Sequence, residues 1–421
     1  MKAQEHLVVG GGLLGLSTAL ELLRRGHRVR VIEAQEGVGL GTSFANGGLL
    51  TPSMADPWNG PGVHRHLIAS LTNPDSAMKL RPSALPSLIP WGARFLINSR
   101  RHPHRIATIA NFKLATYSLR ILRELRETYS LSYDALANGT LKVFRSSKAF
   151  ESSMAMTRLL DAEGLRADTL DADGAVAIEP QLADIRDRIV GALHYPDDES
   201  GDAYLYCRAV ERVIDTLGGN IERWQQVRAI ARERGRVSGV HTADGFIPAD
   251  SVIISAGNAS PAIASSLGVR LGIKPAKGYS ITLAMAASGP MPKVPVVDDA
   301  LHVAVTPLGG RLRIAGTAEF ARFDMRVQPK QVANLIAMLR AIYPSLVGVD
   351  PLAAAETWVG LRPMTADGRP IIGPARIPGL WINSGHGHLG WTMAAGSARL
   401  LADLIEGRRS DIDPEPFAVH R

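Results

Sequence analysis

Three glycines near the start of the chain, Gly10, Gly12 and Gly15, have the spacing of a turn that binds phosphate groups. An apolar run at residues 6–9 predicts a buried strand before them, and leucines that recur every three to four residues predict a helix after them. In such a unit the first glycine forms the tight turn, the second lets a pyrophosphate approach the backbone, and the third lets the helix pack closely on the strand. The N–H groups at the start of the helix would then face the phosphates.

An acidic residue follows this unit at the position where a dinucleotide places its ribose. Glu33 ends the second predicted strand, 18 residues after Gly15. Its carboxylate can accept hydrogen bonds from the two ribose hydroxyls and would repel a 2′-phosphate. The strand, turn, helix, strand and acid together predict a Rossmann-like fold that binds FAD or NAD rather than NADP.

The same stretch also has some features of a targeting signal, because residues 7–20 are largely apolar and follow a lysine. Its glycines are unusual for a signal core, and Glu21 interrupts it well short of the length that crosses a bilayer. We therefore favour the nucleotide-binding interpretation.

A second glycine-rich stretch lies at residues 37–48. Its composition predicts a loop with an accessible backbone, and two interpretations fit it. Either the loop lies against a flat ligand, with Thr42, Ser43 and Asn46 supplying hydrogen bonds, or it is a plain flexible connection.

Composition limits the functional class. The chain has 421 residues, 46% of them hydrophobic and 21% charged, which is typical of a globular protein of two or three domain-sized units. A single cysteine, Cys207, excludes an internal disulfide and cysteine-based metal centres, and no metal site is predicted. The net charge of +7 favours anionic partners, either a carboxylate substrate or an acidic lipid surface, whereas no basic run of the kind that binds nucleic acid is present.

The remaining pattern predicts two domains, one inserted into the other. A predicted strand at residues 250–254, with an apolar run at 252–254, leads into Ala256 and Gly257 and suits the nucleotide-binding sheet, although it lies about 200 residues after the first unit. Alternating strand-like runs between residues 272 and 351 predict an antiparallel sheet with covering helices. We therefore predict an α/β domain formed by residues 1–80, 185–272 and 357–421, interrupted by an α+β substrate domain formed by residues 81–184 and 273–356.

Individual elements follow from periodicity. Helices are predicted at residues 106–129, 208–217, 329–342 and 393–405, and strands at 139–144, 227–230, 237–241, 277–283, 301–306, 312–316 and 380–383. Residues 56–103 are rich in proline and are predicted to be irregular. Within them, an apolar and aromatic run at 85–97 precedes clustered cations at 100–105, which suits either a membrane-surface contact or a packed segment with a solvated end.

Several blocks in the same order resemble the D-amino-acid oxidase superfamily of FAD-dependent enzymes, and within it the bacterial D-amino-acid dehydrogenases. The blocks are the turn with Glu33 and residues 42–47, 56–58, 275–280, 360–373 and 384–393. The resemblance covers essentially the whole chain. It implies a flavoprotein that binds FAD non-covalently, with the flavin ring at the domain interface facing the antiparallel sheet.

The resemblance also implies roles for residues at the substrate site. Arg362 would hold the substrate carboxylate through two parallel hydrogen bonds, and the alternative is a structural ion pair with Asp367. Tyr279 lies on a strand expected to roof the cavity, where its hydroxyl either shares the carboxylate or is only a packing group. His386 and His388 are interpreted as wall residues, with His388 adjusting the size or charge of the pocket, because hydride transfer from a neutral amino acid needs no dedicated base.

The predicted contacts with FAD combine the turn, the glycine-rich loop and the segment at 385–392, where a helix N-terminus would favour negative charge on the reduced flavin. They are Gly10, Gly12, Leu13, Leu14, Gly15, Glu33, Thr42, Ser43, Asn46, Gly47, Gly48, Val227, Ala256, Gly257, Gly360, Gly387, Leu389, Gly390, Trp391 and Thr392.

By this resemblance, the expected activity is the oxidative deamination of D-amino acids, or of imino acids of the D-proline or hydroxyproline type, by hydride transfer from Cα to flavin N5. Electrons would pass to a quinone or another respiratory carrier. The alternatives are an oxygen-using D-amino-acid oxidase and a flavin-carrying subunit of a hetero-oligomeric dehydrogenase. The expected location is the cytoplasm, with or without peripheral contact with the inner membrane, and both homo- and hetero-oligomers remain open.

Overall fold

The computed structural model describes residues 5–64, 78–287, 289–346 and 354–421. The helices in these ranges are α1 (Leu13–Arg24), α2 (Leu85–Asn98), α3 (Arg101–Tyr129), α4 (Ser147–Asp161), α5 (Ala172–Ile178), α6 (Ala203–Thr216), α7 (Ser260–Ser265), α8 (Pro329–Ile342) and α9 (Gly390–Glu406). Across the same ranges, no helix combines the length and the apolar character that a membrane crossing needs.

The strands are β1 (Glu5–Val9), β2 (Arg28–Ile32), β3 (Leu49–Leu50), β4 (Met78–Leu80), β5 (Thr140–Phe144), β6 (Asp168–Leu170), β7 (Gly191–Tyr195), β8 (Glu199–Ser200), β9 (Asn220–Glu222), β10 (Ala229–Glu233), β11 (Arg236–His241), β12 (Phe246–Pro248), β13 (Ser251–Ile254), β14 (Ile273–Ala284), β15 (Val296–Asp298), β16 (Val303–Leu308), β17 (Arg311–Phe320), β18 (Glu356–Thr365), β19 (Ile371–Pro374) and β20 (Leu380–Ser384).

The predicted nucleotide-binding unit is the centre of a six-stranded sheet with the order β19–β20–β13–β1–β2–β9. β1 pairs in parallel with β2 on one side and with β13 on the other. β9 and β20 extend the parallel set, and β19 is antiparallel to β20. This topology confirms the predicted Rossmann-like fold.

Both faces of this sheet are covered. Val8 of β1 packs with α1, α6 and α9 in one apolar cluster that includes Leu16 and Leu20. Leu7 and Val9 point to the other face, as strand alternation requires, and pack with Ile230 in the small sheet β10–β11–β12. Each fully buried leucine or valine contributes about 1.5–3 kcal/mol, so the turn after β1 is held on a rigid support.

The second large sheet has the order β18–β14–β17–β16–β15–β5–β7–β6, with β4 added beside β17. Most pairs are antiparallel, as predicted, but β15 pairs in parallel with β5 and β17 in parallel with β4. Helix α8 covers one face, where Ile281, Ile314 and Leu335 belong to one buried cluster. The opposite face is directed at the first sheet.

Several expectations differ from the structure. α3 and α6 begin five residues earlier than the predicted helices at 106 and 208, because their first turns lack a strong apolar period. β7 and β18 belong to the second sheet, although residues 191–195 and 356–365 were wholly or mostly assigned to the nucleotide domain. The register of β18 with β14 runs over ten residues, from Ile273–Thr365 to Thr282–Glu356, and fixes its place. The exact domain boundaries stay a prediction.

The proline-rich stretch also contains regular structure. The prediction of an irregular segment at 56–103 is wrong for residues 85–98, which form α2 with Pro90 inside it. Pro86 lies in the first turn of the helix, where the missing N–H group costs nothing.

The buried end of β1 makes the stability of the fold sensitive to acid. His6 is buried, its Nδ1 is hydrogen-bonded to Ser251 Oγ, and its ring meets the edge of the His27 ring at 4.9 Å. Burial, and to a lesser degree His27, lowers the pKa of His6 to about 4. An unfolded histidine has a pKa of about 6.5, so between these values the unfolded chain binds the proton more strongly than the folded chain.

We therefore expect the free energy of unfolding to be highest above pH 6.5 and to fall as the pH falls towards 4, with His6 contributing up to about 3 kcal/mol of the loss. Urea unfolding at a series of pH values tests this. The variant His6→Asn removes one titrating ring and should reduce the slope by the share of His6, because burial also lowers the pKa of His386 and His388 and these add to the same loss. An unchanged slope would contradict the assignment.

Candidate active site

A cavity of about 1020 Å³ lies between the two large sheets. Its lining extends from Glu33 at the end of β2, past the turn after β1 and the start of α1, to Arg362 on β18. Such a volume is at the upper end of the range of about 300–1,000 Å³ found for small-molecule sites. The cavity therefore has room for a large and extended ligand.

The three glycines of the turn after β1 occupy their positions for different geometric reasons. Gly10 has a φ of +112°, and a Cβ there would lie 2.6 Å from the carbonyl oxygen of Ser255. A Cβ on Gly15 would lie 1.8 Å from the carbonyl oxygen of Gly10, so only glycine allows α1 to approach β1. A Cβ on Gly12 would meet only Ser43 Oγ, at 3.3 Å. Gly10 and Gly15 are required by the fold itself, whereas Gly12 faces the cavity.

The start of α1 offers hydrogen-bond donors to the cavity. The first turn of a helix leaves four N–H groups without partners in the helix, and Ser43 Oγ accepts one of them, that of Leu13, at 3.2 Å. Gly12 precedes the helix and makes no side-chain cap. The remaining N–H groups, including that of Leu14, and the positive end of the helix dipole suit a phosphate.

Glu33 is fixed at the other side of the turn. Its carboxylate accepts hydrogen bonds from the backbone N–H groups of Gly11 at 2.6 Å and of Gln35 at 2.9 Å. An ionised carboxylate has about four lone-pair positions, so two remain for a ligand. Val227, two residues after a backbone bond between Gln225 and Glu33, lines the same end of the cavity.

The glycine-rich loop is fastened to the second sheet. The backbone oxygens of Ala45 and Gly47 accept hydrogen bonds from Ser280 Oγ and Thr306 Oγ1, at 2.7 and 2.8 Å. Thr42 Oγ1 donates to the carbonyl of Leu361 at 2.8 Å, and Asn46 Oδ1 accepts from the N–H of Gly48 at 2.9 Å. The loop is thus not a plain flexible connection. Its predicted hydrogen-bonding side chains hold it in place, with Thr42 as a donor and Ser43 and Asn46 as acceptors, while it lines the cavity.

The face of the second sheet that closes the cavity carries small residues. They are Gly278, Ser280, Ala304, Ala315 and Gly360. The Trp358 ring lies over Gly360 and the Arg362 guanidinium lies over Gly278, so the open space for a flat ring is at Ser280, Ala304 and Ala315.

Arg362 lies at the end of this face. A Cβ on Gly278 would lie 2.1 Å from Arg362 Nη1, so the glycine makes room for the guanidinium group. Within the described residues, the only hydrogen bond of this side chain runs from Nη1 to the carbonyl of Thr317, at 3.2 Å. Burial lowers the pKa of Arg362 to about 10, which still leaves it charged at neutral pH.

The alternative interpretation of Arg362, an ion pair with Asp367, does not hold. Asp367 is paired instead with Arg369 at 2.9 Å and with Arg421 at 2.8 Å. The guanidinium of Arg362 is therefore a cation in the cavity wall that lacks an acidic partner in the described ranges. A half-buried charge of this kind is costly unless an anionic ligand completes it.

A tryptophan connects Arg362 with His388. The guanidinium carbon of Arg362 lies 5.3 Å from the centre of the Trp58 ring, a cation–π contact. The His388 ring stacks on Trp58 with 5.2 Å between ring centres and 21° between planes. Burial, and then the charge of Arg362, lowers the pKa of His388 to about 4, so it is neutral at pH 7 and serves as a wall residue. Sequence reasoning gave Trp58 no role, although it lies in the block 56–58 that carried the family resemblance.

The side chain of His386 is neutral and hydrogen-bonded within the protein, so we assign it no role in proton transfer. Its Nε2 is hydrogen-bonded to Ser397 Oγ at 2.8 Å, and burial lowers its pKa to about 3. The neighbouring N–H of Gly387 donates to the carbonyl of Pro363 at 3.0 Å, which ties the turn before α9 to β18.

The first residues of α9 reach the cavity through their backbone. Trp391 Nε1 donates to the carbonyl of Gly201 at 3.1 Å, and Thr392 Oγ1 accepts from the N–H of Thr51 at 3.2 Å. Leu389 is buried in the apolar cluster beneath the helix. The side chains of these predicted contacts thus point into the protein, while the backbone from Gly387 to Gly390 lines the cavity together with Ala256 and Gly257.

Tyr279 is among the residues that line the cavity, but its side chain lies on the opposite face of β14 from Arg362. Its ring belongs to the buried cluster with Ile281 and Leu335, opposite Gly278 and Ser280. Its hydroxyl donates to the buried Glu319 at 2.9 Å. Burial and that carboxylate raise its pKa. Of the two interpretations of Tyr279, the structure favours packing.

We expect the variant Tyr279→Phe to keep the KM for substrate within about twofold of the unchanged enzyme. Its free energy of unfolding should fall by about 1–2 kcal/mol, because Glu319 loses a buried donor and keeps Arg81 as its close partner among the described residues. Steady-state kinetics and urea unfolding measure the two effects. A KM raised tenfold at unchanged stability would restore the substrate role.

Five buried polar atoms of cavity-lining residues have no partner among the residues described. They are Gln225 Oε1, Ser255 Oγ, Asn258 Oδ1, Asn383 Oδ1 and His386 Nδ1. Buried polar groups are nearly always hydrogen-bonded, so these atoms suit a polar ligand that fills the cavity.

No group of three metal-binding side chains occurs in the described part of the chain. Cys207 is buried in the core, and burial raises the pKa of its thiol.

Comparison with known proteins agrees with this geometry. The family model described as FAD dependent oxidoreductase, DAO, matches residues 5–404. A D-amino acid dehydrogenase of Xanthobacter autotrophicus is 39% identical over 416 residues, which cover 99% of this chain and 98% of the relative. One from a Methylobacterium species is 40% identical with the same coverage.

Solved structures with the same fold include two amino-acid enzymes. A glycine oxidase from Geobacillus kaustophilus superimposes with a TM-score of 0.78 at 22% identity and covers 100% of this chain and 99% of its own. An L-proline dehydrogenase from P. horikoshii superimposes with a TM-score of 0.79 at 18% identity, with coverage of 100% and 97%. At these identities the likeness concerns the fold.

Proposed function

Since the chain belongs to the DAO family of FAD-dependent oxidoreductases, we propose that it is a D-amino acid dehydrogenase with its active site between the two large sheets. FAD is the cofactor of the family. The substrate class rests on the relatives, which are named D-amino acid dehydrogenases and match over nearly their full length.

The residues present fit FAD. Gly12 and the first turn of α1 would receive the diphosphate, and Glu33 would accept the ribose hydroxyls. The loop at 42–48 and the small-residue face of the second sheet leave a flat space for the ring system. The N-terminus of α9 would stabilise negative charge on the ring when it is reduced. When bound, FAD supplies the acceptor for the hydride that leaves the substrate Cα.

The single structural observation that supports a carboxylate substrate is the guanidinium of Arg362, which has no acidic partner among the described residues. Among the described residues that line the cavity, the charged ones other than histidine are Arg362, Glu33 and Arg228. Glu33 and Arg228 lie at the end of the cavity beside Val227. Arg362 is therefore the charged group at the other end, on the second sheet. A planar guanidinium binds a carboxylate through two parallel hydrogen bonds, which fixes the orientation of an amino acid.

The protein groups have a limited task in the reaction. Arg362 holds the carboxylate, while Trp58 and the neutral His388 close the wall beside it. The amino acid loses two electrons and one proton as hydride from Cα, and its amine nitrogen releases a second proton to become an imine. Water then hydrolyses the imine to a 2-oxo acid and ammonia, whereas a cyclic amine such as D-proline leaves a cyclic imine. Catalysis therefore depends on the orientation of the bound amino acid, and we assign no basic side chain to the proton transfer.

The physiological electron acceptor is proposed to be a quinone or another respiratory carrier, with the enzyme acting from the cytoplasm.

The purified holoenzyme mixed anaerobically with D- and L-amino acids, including both prolines, tests the substrate class. We expect the visible absorption of oxidised flavin to bleach with D-substrates and to return slowly in air but rapidly with a quinone analogue. Bleaching by L-isomers alone would refute the stereochemistry. Rapid return in air would indicate an oxidase, and turnover with a dye acceptor by this chain alone would exclude a dependent subunit.

A further inference from the structure

One face of helix α2 is apolar and open to solvent. Trp91 and Phe95 point inward and belong to a buried cluster with Phe320 and Met364. The outward residues are apolar as well, and their exposed fractions range from 39% to 70%. They are Leu85, Ile89, Leu96 and Ile97, and Ile106 at the start of α3 is 45% exposed. Exposed apolar residues are common singly, but a row of them on one helix indicates a contact surface.

The charged residues of the segment that forms this face are all basic, and four of them, Arg81, Lys113, Arg120 and Arg123, are paired with acids of other elements. Residues 76–123 contain nine lysines and arginines and no aspartate or glutamate. Arg94, Arg100, Arg101 and Arg105 are exposed and form no ion pair with another residue of the described ranges. Elsewhere many arginines are paired; for example, Arg24 lies 2.8 Å from Glu124. We call the four outward apolar residues of α2 with these four arginines the α2 face.

This combination matches one kind of partner. A helix with an apolar side flanked by arginines is typical of a segment that lies in the headgroup region of a membrane, where cations meet anionic lipids. The core of a protein–protein interface is instead depleted of charge, and a second copy would bring four like charges against these four. The charge complementarity thus favours a bilayer over a copy of the same chain.

We propose that the α2 face docks on an anionic lipid bilayer. The cluster behind the helix also contacts Trp58, which lines the substrate end of the cavity. Docking would therefore place the cavity near the membrane, where a lipid-soluble electron acceptor is found. That consequence rests on the proposed function, whereas the docking itself does not.

Co-sedimentation of the holoenzyme with vesicles tests the proposal. We expect binding to vesicles of phosphatidylcholine with phosphatidylglycerol, and at least about tenfold weaker binding to phosphatidylcholine alone or at high salt. The variants Ile89→Ser/Leu96→Ser and Arg94→Ser/Arg101→Ser should each weaken binding to the anionic vesicles by about tenfold or more. The matched control is Trp224→Ser/Phe246→Ser, which removes two exposed apolar residues, 69% and 49% accessible, far from α2 in sequence and should bind as the unchanged protein does.

Two further measurements separate the possible failures. Turnover of a D-amino acid with a soluble dye should be the same in all these variants, which shows that they are folded and tests the proposed function independently of docking. Absence of binding to anionic vesicles, or unchanged binding by both α2 variants, would overturn the proposal. It would also be overturned if Ile89→Ser/Leu96→Ser abolished self-association instead, because the α2 face would then contact a second copy.

Discussion

Replacing Arg362 by methionine is expected to weaken substrate binding by the equivalent of about 2–5 kcal/mol, which is roughly 30- to 5,000-fold in the dissociation constant. The side chain lies over Gly278 on the cavity side of the sheet and has a backbone carbonyl as its hydrogen-bond partner within the described ranges. A substrate carboxylate would therefore be the main group that offsets the desolvation of the Arg362 charge. Anaerobic titration of the flavin absorption with a D-amino acid measures the loss directly.

The same variant has a second signature that separates a binding residue from a structural one. Since Arg362 has no acidic partner among the described residues, its removal leaves no unpaired carboxylate and relieves the cost of a half-buried charge. We expect the melting temperature of Arg362→Met to stay the same or rise. The control is Arg369→Met, which breaks the 2.9 Å ion pair with Asp367 and should lower stability slightly without changing substrate affinity.

An unchanged dissociation constant in Arg362→Met would remove the residue from the substrate site. A large loss of stability together with a normal dissociation constant would instead assign it a structural role. The variant Arg362→Lys keeps the charge but loses the planar pair of donors, so intermediate affinity is expected if the carboxylate is bound by two parallel hydrogen bonds.

The parts of the fold that were predictable from sequence are those fixed by local contacts. Gly10 and Gly15 lie in one turn, and the atoms that exclude a side chain at Gly15 belong to Gly10, five residues away. Helix α8 begins and ends at the predicted residues, 329 and 342, because proline marks its start and its apolar period is regular. Local rules of this kind also gave β1, β2 and β13.

Features that depend on distant pairing were not predictable. Whether Tyr279 shares a face with Arg362 is decided by the register Ala276–Arg362, which joins residues 86 positions apart. The sequence identified both residues but could not show that they point to opposite sides of β14. In the same way, Arg369 and Arg421 compete for Asp367 only after the chain has folded, and this competition leaves Arg362 free of it.

Helix α2 illustrates a different limit. Its prolines suggested irregular structure, although Trp91 and Phe95 already have the spacing of one helix turn. The two open interpretations of the segment are membrane contact and packing. Packing is observed for the inward residues, and membrane contact stays our proposal for the outward ones. The inward residues pack, while Ile89 and Ile97 remain more than half exposed. Only the position of the sheet behind the helix decides which residue belongs to which side.

Replacing Gly12 by aspartate is expected to weaken FAD binding strongly while leaving the protein folded. Gly12 has φ −88° and ψ −174°, an extended conformation that any residue adopts, and it is the N-cap of α1. Aspartate is among the best N-cap residues, so its carboxylate should cap the N–H groups that would otherwise face the diphosphate. A fixed negative charge at that point costs several kcal/mol against a second anion, so the dissociation constant for FAD should rise at least about a hundredfold.

Gly12→Asn is the matched variant, because it has the same shape and capping ability but no charge. Its added volume alone should cost about 1–3 kcal/mol of FAD binding, or roughly 5- to 150-fold, so the difference between the two variants isolates the repulsion of the diphosphate. The flavin content after purification and fluorescence titration of the apoprotein with FAD measure both effects, and thermal unfolding of the apoproteins should give similar melting temperatures.

In contrast, Gly15→Ala should lower the melting temperature itself, because its Cβ would lie 1.8 Å from the carbonyl oxygen of Gly10. Equal FAD affinity in Gly12→Asp and Gly12→Asn would mean that no phosphate lies at the start of α1, and FAD would then have to bind elsewhere in the cavity.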